Sequence, residues 1–238
     1  MKFLLFVLNI FLFNYLLCLA QNPPTGYDAQ ANLNDLFQGN TDFVRTFTSG
    51  YEGVRGTPNI FEDFRSGNIY FSNKTSISNI SINYDCYNDH VMYSDQDKIY
   101  ILNSQNIEYF TITGNEPETS FLFKQVFLPS EKKIVFLHII SNKKSILFKR
   151  YLKEFIEADY TGPYNANRRY DEYIDKEKYY IKLPDKEIFQ IKSRGKSIKE
   201  IFGDQYSLIR DFIKKEKINL KDDNDLVRLI KFYDDSKE

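Results

Sequence analysis

The chain has 238 residues, a net charge of −1, 39 aromatic side chains (21 Phe and 18 Tyr) and no tryptophan. That length is ample for one large or two small cores. Acids are interspersed among the bases and no uninterrupted basic stripe occurs, which argues against a nucleic-acid partner. The two cysteines, Cys18 and Cys86, exclude a disulfide framework once the first is removed with the leader.

Residues 1–20 come first in chain order. Met1-Lys2 is followed by an almost unbroken apolar run, Phe3 to Ala20, ending in Cys18-Leu19-Ala20. A short basic start, an apolar centre and small residues before a cut are the form of a secretory signal peptide. The expected mature start is Gln21, in a secreted or periplasmic protein. The alternative is a retained anchor, since the run is about as long as the shortest membrane-spanning helix, roughly 17 residues. Asn9, Asn14 and Pro23-Pro24 weigh against it.

Residues 21–57 read as an arm rich in Asn, Gly and Asp, with a helical turn around Leu33–Phe37 and repeated breaks at Gly50, Gly53 and Gly56. It is expected to lie over the surface of the folded part. The spacing of Gly53, Gly56 and Pro58 predicts a tight turn between arm and sheet.

Residues 58–192 read as a β-meander domain. Short apolar runs at 68–72, 78–84, 90–93, 98–102, 107–112, 121–127, 133–140 and 145–148 are separated by Asp, Asn, Ser and Gln. The stretch 78–84 alternates at period two, as a half-buried strand does. Short polar turns favour antiparallel neighbours, because parallel pairs need long crossovers. An irregular joint is expected over 155–167, with strands returning at 178–182 and 187–191. Residues 193–238 then switch period. Tyr206, Ile209, Phe212 and Ile213 share one helix face, with Lys214, Lys215 and Lys217 near its end. Asp222 or Asp223 is placed to cap a last helix with Leu226, Leu229, Ile230 and Tyr233 on its apolar face. The predicted fold class is therefore α+β: an antiparallel β-meander, barrel-like or bent into a sandwich, followed by two short C-terminal helices.

Charge divides along the chain. Residues 21–130 carry 6 Lys/Arg and 13 Asp/Glu, whereas residues 131–238 carry 25 and 20. Few side chains suit acid–base chemistry near neutrality. Cys86 and His90, four apart, fit a strand end better than a zinc ligand pair or a thiol nucleophile, for neither reading has a known spacing. His138 reads as a core or edge histidine. No Gly-x-Ser-x-Gly elbow and no glycine-rich phosphate loop occurs. The carboxylate pairs Glu62-Asp63 and Glu116/Glu118 are ordinary for this composition. No cofactor and no metal is implied. The best interaction candidate is the tyrosine-rich joint, Tyr160, Tyr164, Arg168, Arg169, Tyr170 and Tyr173, because tyrosine and arginine concentrate in interface hot spots.

Gly53-Val-Arg-Gly-Thr-Pro58, Asn83-Tyr-Asp-Cys-Tyr87 and Thr161-Gly-Pro-Tyr-Asn165, followed by a helical tail, resemble a family of uncharacterised secreted proteins of Bacteroidota. The resemblance extends over most of the mature chain. It implies a bacterial source and an envelope or secreted location; it implies no activity and no catalytic residue. The functional expectation is a non-enzymatic binding or envelope-associated factor whose partner is an envelope protein or a glycan. The alternatives are a carboxylate-dependent hydrolase and a carrier of lipid or another small ligand. Membrane contact is expected only through the leader, if it is retained.

Overall fold

The computed structural model describes residues 44–47, 54–95, 98–114, 119–158, 170–184, 186–192 and 195–237. Eleven strands form one antiparallel sheet: β1 (Val44–Phe47), β2 (Arg65–Phe71), β3 (Ser76–Asp85), β4 (His90–Asp95), β5 (Lys98–Leu102), β6 (Ile107–Thr113), β7 (Ser120–Leu128), β8 (Lys133–Asn142), β9 (Ile146–Ile156), β10 (Glu172–Lys182) and β11 (Ile188–Ile191). Their spatial order is β1-β5-β4-β3-β2-β6-β7-β8-β9-β10-β11. From β6 to β11 sequence neighbours are space neighbours, as the short polar turns require. The sheet is followed by α1 (Gly195–Phe202), α2 (Tyr206–Lys215) and α3 (Asp223–Asp235).

The inner face of β2 to β8 carries large apolar side chains, and the sheet curls to cover them. Tyr84 of β3 packs its ring against Phe110, Phe123 and Phe136, at centroid distances of 5.4 to 6.1 Å. Phe110 stacks on Phe123 at 4.8 Å. Ile69, Ile82, Ile107 and Ile112 complete this core. The interior is thus filled with rings, whose burial supplies most of the driving force for the curl.

The strand ladder stays open, but residues 55–60 bridge the gap between β10 and β3. On one side Arg55 N–H donates to Asp171 O and Tyr173 N–H to Arg55 O, both at 2.9 Å. On the other, Ile60 N–H donates to Tyr84 O and Cys86 N–H to Pro58 O, again at 2.9 Å. Gly56 sits between the two sets at φ +74°, and a Cβ there would lie 3.0 Å from Tyr173 O. Positive φ and a close backbone approach both call for glycine. The expected tight turn is therefore an extended bridge.

The helices cover one face of the last strands. Ile198, Ile201, Phe202, Ile209, Leu226, Leu229, Ile230 and Tyr233 pack with Leu147, Tyr179, Ile181 and Ile191. Asp222 caps α3 by accepting from Asp225 N–H at 3.0 Å. The far end of α3 is tied down by buried Asp234, which accepts from Ser145 N–H (3.1 Å) and Ser145 Oγ–H (2.5 Å).

Three elements differ from the sequence expectations. β1 extends the sheet edge beside β5 from within the arm. β9 runs on to Ile156 and β10 starts at Glu172, so the segment between the strands is 157–171 where 155–167 was expected, and its residues 159–169 lie outside the described residues. A third helix, α1, precedes the expected two; its apolar residues Ile198, Ile201 and Phe202 span little more than one turn, too few to show a period. The expected turn around Leu33–Phe37 and the leader lie outside the described residues. Among the described residues no helix is long and apolar enough to cross a membrane.

Gly67 sits where β2 packs closely against β6 and β3. A Cβ there would meet Thr111 O at 2.3 Å and Ile82 Cδ1 at 2.4 Å. Gly67→Ala is expected to cost about 1–3 kcal/mol, as overpacking does. Urea unfolding checks it; an unchanged midpoint would contradict the packing described.

Candidate functional site

β9 and β10 pair without interruption from Ile146↔Lys182 to Ile156↔Glu172. β8 joins β9 only from His138↔Lys149 to Asn142↔Ile146. The outer half of the β9–β10 hairpin therefore leaves the sheet as a two-stranded ribbon. Residues two apart share a strand face. One face of the ribbon thus presents, from tip to base, Phe155 and Tyr173, then Lys153 and Asp175, then Tyr151 and Glu177, then Lys149 and Tyr179. The strip begins aromatic, becomes charged, and ends under the helices.

The tip holds an aromatic and arginine surface. Tyr173 meets Tyr87 edge-on at 5.5 Å and Phe155 at 5.0 Å. The Arg55 guanidinium lies 3.9 Å from the centre of the Tyr170 ring. Tyr87 and Tyr170 are both 49% exposed, a large apolar area to leave in water. The backbone beneath them is fixed. Buried Asp85 accepts from Tyr87 N–H and Asn88 N–H at 2.9 Å and from Asn88 Nδ2 at 2.8 Å, filling both carboxylate oxygens. The Tyr84 hydroxyl donates to Asp89, which stands at φ +65° and turns the chain back into β4. Tyr87 thus rides on a turn locked by two aspartates, and Arg55 on the bridging segment.

Of the six residues singled out from the sequence, Tyr170 and Tyr173 belong to this surface. Tyr160, Tyr164, Arg168 and Arg169 lie outside the described residues. Sequence reasoning missed Tyr87 and Arg55. Both were in view, because they belong to two of the segments that carry the family resemblance; local pattern alone gave no reason to bring those segments together.

Below the tip is a cleft of about 270 Å³. Ile60, Phe61, Cys86 and Phe121 form its apolar wall; Tyr151, Lys153, Asp175 and Glu177 face them. Lys153 pairs with Asp175 at 2.6 Å and Lys149 with Glu177 at 2.8 Å. Both carboxylates are therefore committed to lysines. Burial pushes the Cys86 thiol far up and out of the range of a reactive thiolate, although Lys153 opposes the shift. Cys86 instead donates to Tyr84 O at 3.7 Å. Glu62 and Asp63 are exposed, and Glu116 and Glu118 lie outside the described residues. Among the described residues no three His, Cys, Asp or Glu side chains gather as a metal site.

The base of the strip is a polar seam against the helices. Lys149 lies between Glu177 and Asp223, the latter at 3.3 Å, while the Tyr179 hydroxyl donates to Asp223. His138 Nδ1 is 3.2 Å from the Tyr151 hydroxyl, and its ring lies beside Phe121 and Phe123. Burial lowers the His138 pKa to about 4; Asp223 opposes the shift and Lys149 adds to it. Burial, then Asp223 and Glu177, push the Tyr151 phenol up. Both rings are neutral at physiological pH, and the seam ties the sheet to α3.

No family model matches the chain, and no curated protein or solved structure matches it.

The seam sets a pH dependence. The His138 pKa lies below its ordinary 6.5, so the unfolded chain takes up the proton first as pH falls. The stability this contributes is complete above about pH 6.5 and is lost on the way down to about pH 4, at most about 3 kcal/mol in all. His138→Gln is expected to flatten the stability profile over that window in urea titrations at fixed pH. An unchanged slope would show that His138 is not the group responsible.

Proposed function

We propose that this protein is an exported, non-enzymatic binding module that engages another envelope protein through the aromatic and arginine surface at the ribbon tip. The observation that carries this reading is the half-exposed pair Tyr87 and Tyr170, presented with Arg55 and Tyr173 on backbone that is already rigid. Aromatic and arginine side chains dominate interface energetics, and a surface held in place before contact loses less entropy on binding. Export rests on the form of residues 1–20, and the resemblance to secreted Bacteroidota proteins points the same way.

The hydrolase reading has one observation in its favour, the cleft that contains Asp175 and Glu177. It is weakened by the lysine that each carboxylate already holds.

Two measurements test the proposal. Amino-terminal sequencing of the exported protein is expected to begin at Gln21; Met1 still attached would overturn the cleaved leader. A photo-crosslinking residue at position 87 or 170, in the cells that make the protein, is expected to give one discrete protein adduct. The same residue at position 208, on the exposed face of α2, should give none. Arg55→Ala should cut adduct yield about tenfold, the scale of a hot-spot loss. Adducts independent of position, or unchanged by Arg55→Ala, would overturn the reading.

A further inference from the structure

The opposite face of the sheet carries a second apolar cluster that no described helix covers; Leu128, Leu137, Phe148 and Tyr180 in it are buried, while Val126, Ile139, Ile146 and Ile188 are partly exposed. Register places Val126 and Leu128 of β7, Leu137 and Ile139 of β8, Ile146 and Phe148 of β9, and Tyr180 of β10 on the face turned away from the helices. They form one cluster together with Ile188 of β11. β7 and β11 stand at opposite sides of this five-strand set, yet both line a single cavity of about 640 Å³. This half of the sheet therefore curls into a trough. A second cavity of about 390 Å³ shares Pro129 and Ile188 with the first and continues toward α1.

The rim of the trough is basic. Lys124, Lys182, Lys186, Lys192 and Lys196 stand around the two cavities, against Glu187 and Glu200. Lys186 donates to Ile201 O at 3.0 Å. The other four lysines make no ion pair with a described carboxylate. An apolar floor under unpaired cations suits a ligand that is apolar along its length and anionic at its end. Around Ile146, Phe148 and Lys182 the floor presents side chains only, because β9 and β10 are paired on both sides there; β11 is the edge of the sheet. A peptide laid on it would leave its own N–H and C=O groups unpaired, whereas an acyl chain carries none.

The geometry points to a binding site for a single anionic amphiphile, an acyl chain lying along Val126, Ile146, Phe148 and Ile188 with its carboxylate or phosphate head held by Lys124 and Lys182. The site is separate from the ribbon-tip surface and does not depend on its role.

Calorimetric titration of the full chain with decanoate, decanol and decyltrimethylammonium, each below its micelle concentration, tests the assignment. Decanoate is expected to bind about tenfold more tightly than either of the others, with the advantage shrinking as salt is raised. The double variant Lys124→Glu, Lys182→Glu changes exposed positions only. It should remove the preference for decanoate while leaving the melting temperature unchanged. Ile188→Glu should weaken all three ligands. Equal affinity for the three, no binding of decanoate, or a preference that survives the charge reversal would overturn the site. Binding to phosphatidylglycerol vesicles or to an acidic amphipathic peptide, without binding to monomeric decanoate, would overturn it as well.

Discussion

Tyr84 is the residue on which the rest of the molecule depends. Its ring fills the centre of the aromatic core against Phe110, Phe123 and Phe136. Its carbonyl accepts the Ile60 N–H that joins the bridging segment to β3. Its hydroxyl donates to Asp89 and so fixes the turn that carries Tyr87. Burial, reinforced by Asp89, holds the phenol pKa well above its usual value, so the donor keeps its proton. One side chain thus couples the packing of the core, the bridging of the sheet and the shape of the exposed surface. Loss of a buried ring of this size from a filled interior leaves a void that neighbouring rings cannot easily close.

The β9–β10 ribbon gives the molecule its polarity. Because its pairing is unbroken, side chains along one face keep strict alternation from tip to base. The same face is an aromatic surface at one end, a narrow charged cleft in the middle and a buried seam at the other. Each zone is decided by what lies opposite: the Asp85 turn, the segment around Ile60 and Phe61, or the N-terminus of α3. The charged zone is also the most self-satisfied. Lys149 and Lys153 each pair with a carboxylate across the hairpin, so these ion pairs hold β9 against β10.

Much of the fold was legible from local pattern. All ten strand runs read from the sequence are strands, because period-two alternation and polar turns act over a few residues. The helices α2 and α3 were legible for the same reason, with Asp222 as one of two candidate caps and the one the structure uses. What stayed hidden was non-local. The pairing of residues 55–60 with both β3 and β10 follows from curvature, which depends on rings far apart in the chain. The ribbon's outer half was hidden for another reason: Lys153, Glu154, Asp175 and Lys176 fall outside every apolar run, yet they pair across the hairpin as ions. Half of the candidate surface, Tyr170 and Tyr173, was named from composition; the other half, Arg55 and Tyr87, required the bridge.

The bridge also orders assembly in time. Residues 55–60 are made early, but half of their hydrogen bonds wait for β10, which is made late. A chain whose closing contacts span most of its sequence has high contact order and is expected to fold slowly. Until β10 arrives, the ring-bearing face of the early strands has no lid, and the intermediate is open to aggregation.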